Sequence, residues 1–317
     1  MYNTTMPPIS RRDFTRALAA SPLLAGNASA ATPIPTRRLG KTGFQASIFG
    51  IGAQHLGDPE ATQATVDRVL GEAIDNGVNY IDTAPPYNFS EERLGRALKG
   101  KRDKVFLVSK VETTAKGDAE YQLKDSLHKL QTDYLDCVHI HNVGREDRYP
   151  SLKQMLAADG TLGALLEARK KGMIRHIGAT CHMRPARALP VLETGEIDLF
   201  MCTINFVERH IYKFEEQVLP EARRRNIPVI GMKVLGGPTR GGARLISPED
   251  YSAALRYAWS VPGVAVAIVG VRTTEELRQA LAAARSFEAL PPAELSLLLE
   301  RSKPMAAQWG PLRGPVA

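Results

Sequence analysis

Apolar residues recur along the chain in short, near-continuous runs, close to 47–53, 79–84, 105–111, 134–141, 174–181, 199–205, 228–235 and 264–271. Each run has strand length and lacks a polar face, which predicts parallel strands buried on both sides. Between the runs the apolar spacing changes to three and four, over 62–76, 91–99, 119–130, 162–171, 185–193, 213–225, 249–259 and 274–284. That period predicts amphipathic helices. Asn76-Gly77 and Lys171-Gly172 supply stop signals, and Ser247-Pro248-Glu249 and Thr273 supply start signals. Eight strand–helix units over roughly 250 residues are the size of a closed barrel. The expected fold is therefore α/β, a (β/α)8 TIM barrel. An open doubly wound sheet could hold the same units, but Gly50, Gly52 and Gly57 after the first run lack the spacing of a dinucleotide turn. Turn residues between two short runs predict an N-terminal β-hairpin around 37–44. The expected divisions are a leader at 1–30, the barrel at 37–287 and a C-terminal helix and tail at 288–317. That tail, ending in Gly, Pro and Trp309, reads as a frayed terminus.

Charge changes the picture only at the N-terminus. Of the formal +7, Arg11, Arg12 and Arg16 against Asp13 place +2 in the first thirty residues. The remaining excess is mild, and Lys170-Lys171 and Arg223 to Arg225 fall at expected helix ends, where cations complement the helix dipole. Nucleic-acid binding is not expected. Ser10-Arg11-Arg12-Asp13-Phe14, a short apolar stretch and Ala28-Ser29-Ala30 follow the order of a secretory leader, and the paired arginines resemble the twin-arginine type. The expected partner is the twin-arginine export machinery, and the expected location is the periplasm. The apolar stretch is too short for stable membrane insertion. Cys137, Cys181 and Cys202 are widely spaced within apolar runs, which predicts buried small hydrophobes rather than a disulfide framework or zinc motif.

Active sites of such barrels lie where strands give way to the following loops. Asp82 ends the second apolar run and Tyr87 stands just beyond it in a Pro-Pro-Tyr loop; Lys110 and His141 end the third and fourth runs. A buried carboxylate requires a cation, and Lys110 is the candidate. A structural ion pair would satisfy both groups. Tyr87 and His141 favour chemistry instead: an ammonium lowers the pKa of a neighbouring phenol, and a phenol so tuned can protonate a carbonyl oxygen that an imidazole N–H orients. His139, His141 and His182 could alternatively form a metal set in a hydrolase, but no further acid completes it, and no metal is expected.

These residues stand in Asn79-Tyr-Ile-Asp-Thr-Ala-x-x-Tyr87, Val108-Ser-Lys110, Asp133-Tyr-Leu-Asp-x-x-x-Ile-His141 and Lys170-x-Gly-x-Ile-Arg-x-Ile-Gly178. Over 37–287 the pattern resembles the aldo-keto reductase superfamily, whose members carry Asp, Tyr, Lys and His in this order on a (β/α)8 barrel. The resemblance implies that Tyr87 is the general acid/base, that Lys110 and Asp82 tune it, and that His141 orients the carbonyl. It places Thr180-Cys181 where the family usually holds the nicotinamide amide with Ser-Asn. Met201 stands in place of a common Gln, and Met232 in place of a stacked aromatic. Met232-Lys233-Val-Leu235-Gly236 is similar to a branch that often carries C-terminal iron–sulfur cysteines, which this chain lacks. Gly270-Val-Arg272-Thr273-Thr274 resembles the adenosine-phosphate segment, with Arg272 for a 2′-phosphate; an ordinary capped helix is the alternative. The loop at 236–244 could fold over the pyrophosphate through Arg240 or Arg244, or be a plain flexible loop, and the resemblance also implies that the tail from Pro291 onward borders the substrate pocket. The implied function is NAD(P)H-dependent reduction of a small aldehyde, ketone or sugar, or the reverse, with NADP preferred to NAD. The rival is a nicotinamide-binding sensor or partner module with little turnover.

Overall fold

The computed structural model of the chain describes residues 32–239 and 242–317. The expected leader at 1–30 and Arg240 lie outside the described residues. A hairpin of β1 (Thr36–Arg38) and β2 (Gln45–Ser47) precedes the first barrel strand. The barrel strands are β3 (Phe49–Gly52), β4 (Tyr80–Asp82), β5 (Phe106–Val111), β6 (Leu135–Ile140), β7 (Ile174–Cys181), β8 (Leu199–Thr203) and β9 (Val229–Met232). A small hairpin, β10 (Gly236–Thr239) with β11 (Gly242–Leu245), follows β9, and β12 (Val264–Gly270) completes the ring. β12 pairs with both β9 and β3, so eight parallel strands close with no free edge. The expected TIM barrel is observed.

Helices cover the outside: α1 (Gln63–Asp75), α2 (Ser90–Ala97), α3 (Lys116–Lys129), α4 (Leu152–Leu156), α5 (Thr161–Lys170), α6 (Leu189–Glu193), α7 (Arg209–Tyr212), α8 (Phe214–Gln217), α9 (Leu219–Arg224), α10 (Tyr251–Ser260) and α11 (Thr274–Arg285). α1 shows why. Val66, Val69, Leu70 and Ala73 form one buried stripe, and the Thr62 hydroxyl accepts the Thr65 N–H at its start. The single helix expected at 213–225 is instead broken into α8 and α9, and α7 precedes them. Lys213 adopts a left-handed φ of 55°, and Pro220 in the first turn of α9 has no N–H to continue α8.

Two apolar layers result. One lies between strands and helices, and the other fills the barrel with Tyr80, Phe106, Val108, Cys137, Leu199, Met201, Ile230 and Met232 among others. Period-two alternation then sends the next inward side chains, Asp82 on β4 and Lys110 on β5, toward the mouth. The three cysteines are buried and unpaired. Two clefts of about 880 and 1000 Å³ open at the opposite end, around Leu127 to Asp133 and around Arg37 and Pro228. That end of such a barrel serves stability.

The tail is docked rather than frayed. α12 (Pro292–Trp309) packs Leu298 and Ala306 inward, and beyond it Arg313 donates from Nε and a terminal nitrogen to Glu208, both at 2.8 Å. Both side chains are almost fully buried, and a planar two-point pair of this kind is among the strongest charge-assisted contacts. Tyr212 accepts from the Arg313 N–H and donates to the Gly314 carbonyl, while the Arg184 N–H donates to the Pro315 carbonyl.

Candidate active site

Lys110 stands at the centre of the barrel mouth. Its Nζ donates to Asp82 Oδ1 at 2.6 Å and to the Thr83 carbonyl at 2.7 Å, and it lies 4.9 Å from the centre of the Tyr87 ring. Asp82 and Lys110 are each 2% exposed. Burial works against the Lys110 ammonium, but Asp82 and Tyr87 outweigh it and hold the pKa above that of an ordinary lysine. For Tyr87 the balance differs from expectation. Burial and the Asp82 charge raise the phenol more than Lys110 lowers it, so in the ligand-free mouth it is a firmly protonated donor. The second oxygen of Asp82 is buried with no hydrogen-bond partner among the described residues.

The backbone holding Tyr87 rests on the loop after β3. A Cβ at Gly57 would lie 1.9 Å from the Tyr87 carbonyl oxygen and within 3 Å of Ser90, so a side chain there would displace the Tyr87 turn. Phe89 N–H donates to the Gly57 carbonyl, and the Ser90 hydroxyl joins Thr83 Oγ1 at 2.8 Å to the Ala53 carbonyl at 2.9 Å. Thr83 is also the residue whose carbonyl takes Lys110. One set of contacts therefore fixes both members of the phenol–ammonium pair.

His141 follows β6, with Nδ1 3.6 Å from Glu112, a carboxylate that Arg145 also meets at 3.0 Å. Burial lowers the imidazole pKa more than Glu112 raises it, so the ring is neutral and can present an N–H. His139 lies one layer deeper, beside Lys110 in register, with neither ring nitrogen hydrogen-bonded among the described residues. A Cβ at Gly178 would lie 2.2 Å from it. Among the described residues no three His, Cys, Asp or Glu are placed to hold a metal ion.

The geometry thus assembles Asp82, Tyr87, Lys110 and His141 from four separate stretches of chain. The Aldo/keto reductase family profile matches residues 49–249. The chain belongs to the aldo/keto reductase family. Members of this family are NAD(P)-dependent oxidoreductases. The chain is 30% identical over 232 residues to the aldo-keto reductase YhdN of Bacillus subtilis, covering 67% of this chain and 64% of that one. It is 35% identical over 162 residues to the L-galactose dehydrogenase of Arabidopsis thaliana, covering 47% and 49%. The matches therefore span about half to two thirds of the length of these curated relatives. An aldo-keto reductase from Klebsiella pneumoniae, solved in complex with NADPH, superposes with a TM-score of 0.68 at 25% identity, covering 85% of this chain and 95% of that one.

On the cofactor side the aldo/keto reductase barrel corrects several expectations. Thr180 faces inward but is fully buried, its Oγ1 accepting the Asn142 N–H at 2.7 Å. Cys181 cannot line the mouth. Strand alternation turns it into the outer layer, where Sγ donates to the Met183 carbonyl, and burial pushes the thiol up to about 12. Met201 is inward and fully enclosed, one step below the position that could meet a ligand. That position belongs to Thr203, which the sequence reading missed; its hydroxyl is buried and has no hydrogen-bond partner among the described residues. The signal was available, because Leu199, Met201 and Thr203 share one face of β8. Met232 also faces inward, at 5% exposed.

Lys233 follows in a left-handed conformation with φ of 57°, and Leu235 and Gly236 continue the loop into β10. The Lys233 ammonium makes no ion pair or hydrogen bond among the described residues. Burial, with Arg313 nearby, pushes it down to about 8. The Gly236 carbonyl accepts from Arg313.

At the adenosine end the segment caps a helix. Thr273 Oγ1 accepts the Glu276 N–H as the N-cap of α11, and the Glu276 carboxylate reaches back to accept the Arg272 N–H at 2.6 Å. The Arg272 guanidinium remains exposed, lies 3.1 Å from His55, and can still meet a phosphate. The His55 ring covers Gly270, where a Cβ would lie 2.7 Å from it. His55 had no sequence signal, since the contact spans 217 residues.

Proposed function

We propose that this chain is an NAD(P)H-dependent reductase of a small aldehyde, ketone or sugar carbonyl, also able to run in the alcohol-oxidising direction. The observation that carries the reading is the Lys110 ammonium held between Asp82 and the Tyr87 ring, with neutral His141 beside them. The residues fit a nicotinamide dinucleotide. Among the described residues Lys233 is an anion-seeking ammonium with no partner and Thr203 an orphan hydroxyl, while Met232 is an apolar inward face and Arg272 an exposed guanidinium. NADP is the cofactor favoured, supported by the NADPH complex of the Klebsiella relative and by Arg272. When bound, the reduced cofactor supplies a hydride to the carbonyl carbon. Tyr87 gives its proton to the carbonyl oxygen, completing the alcohol. Lys110 stabilises the phenolate left behind until solvent returns a proton, Asp82 holds Lys110, and the His141 N–H orients the oxygen.

Nicotinamide fluorescence titration followed by single-turnover mixing with a reactive aldehyde tests this reading. Bound NADPH is expected to be oxidised, whereas binding without oxidation would support the rival sensor role. Affinity has an expected pH dependence. Lys233 is charged below about 8 and loses its proton above it, so NADPH binding should weaken as pH rises through that value, and Lys233→Met should flatten the profile.

We further propose that 1–30 is a twin-arginine export signal and that the mature protein acts in the periplasm, a reading supported by Arg11-Arg12-Asp13-Phe14 and Ala28-Ser29-Ala30. Cell fractionation with N-terminal sequencing is expected to recover a chain beginning after Ala30. Recovery only in the cytoplasm with an intact N-terminus would refute export.

A further inference from the structure

His182 takes no part in the proton-transfer set, yet its position is closely specified. On β7 the inward side chains are His176, whose ring stacks on Phe106 at 6.1 Å, then Gly178 against His139, then Thr180. The same alternation turns the His182 ring toward the mouth. Its backbone N–H donates to Asn142 Oδ1 at 3.1 Å, and Asn142 in turn gives its own N–H to Thr180. This ties the ends of β6 and β7 together and brings the His141 and His182 rings edge to edge, with centroids 6.0 Å apart.

The His182 ring is partly exposed and makes no hydrogen bond or ion pair among the described residues. Burial together with Lys233, His141, Arg313 and Lys110 keeps it neutral, with one N–H to give and one nitrogen lone pair to receive. A polar group of that kind, facing the same space as the orienting imidazole, is matched by a polar atom on the bound molecule. With Tyr87 and His141 on the reacting oxygen, the neighbouring carbon of the substrate is the natural place for such an atom.

We propose that His182 is a specificity-determining residue that hydrogen-bonds a second oxygen on the carbon next to the reacting carbonyl. The preferred substrates are then α-hydroxy carbonyl or 1,2-dicarbonyl compounds rather than simple alkyl carbonyls of equal size. A hydroxyl would donate to the free ring nitrogen, and a second carbonyl would accept from the ring N–H. This inference rests on the oxidoreductase reading and adds the substrate class.

The test compares 2-hydroxypropanal with 2-methylpropanal, two aldehydes of similar shape that differ by a hydroxyl in place of a methyl group. The full-length protein is expected to show the higher kcat/KM for 2-hydroxypropanal. In His182→Phe that preference should fall about tenfold, the worth of one net hydrogen bond, without a matching rise in the NADPH Kd. His182→Gln, which keeps a donor and an acceptor, should recover part of it. An unchanged preference in His182→Phe would overturn the proposal. So would a raised NADPH Kd with the preference intact, since that places the ring on the cofactor. Reduction of neither aldehyde by the unaltered protein, despite NADPH binding, would overturn the oxidoreductase reading and this inference with it.

Discussion

Tyr87→Phe is expected to lower kcat for carbonyl reduction by about 10²- to 10⁴-fold, the usual worth of a positioned general acid. The substitution removes only the hydroxyl. The ring still lies over Lys110, the Gly57 platform still carries the turn, and Asp82 keeps its ammonium, so NADPH affinity should change little. A raised phenol adds a pH signature. Because Tyr87 is held above the ordinary phenol value, its protonated form persists through neutral pH, and kcat at saturating NADPH should decline only in strongly alkaline solution. Pre-steady-state kinetics across pH checks both statements. A Tyr87→Phe protein that reduces aldehydes at the parental rate would remove the phenol from the mechanism.

What could be read before folding depended on whether a residue announced itself through its own strand. Asp82, Lys110 and His141 end apolar runs of the right length, and period-two alternation then assigns them one common mouth. Cys181 failed by the same rule applied one residue out of step: it is adjacent to an inward residue and therefore faces outward. Thr203 was within reach of that rule, whereas the Arg313–Glu208 pair was not. A single arginine among Gly and Pro residues carries no local pattern, and its partner lies 105 positions earlier. Gly57 was equally silent. Its contribution is the absence of a side chain where the Tyr87 backbone crosses, which only the folded path makes visible. The phenol balance was also misjudged, because a neighbouring ammonium is legible in sequence while the extent of desolvation is a property of the closed barrel.

The largest expected loss of stability comes from separating Asp82 from Lys110. Each is 2% exposed, and Asp82 already keeps one oxygen without a partner among the described residues. Lys110→Met would leave the carboxylate buried with its cation gone, a change that typically costs about 3–5 kcal/mol. Asp82→Leu strands the ammonium in the same way, leaving it the Thr83 carbonyl and the neutral Tyr87 phenol but no carboxylate. Replacing both groups removes both uncompensated charges, so Lys110→Met with Asp82→Leu should regain most of the lost stability in urea unfolding. Activity should not return with it, because the double variant has no cation to stabilise the Tyr87 phenolate. That divergence separates the two uses of the pair. If the double variant were no more stable than either single one, the losses would come from packing rather than stranded charge. If the double variant reduced aldehydes at the parental rate, the pair would be only structural.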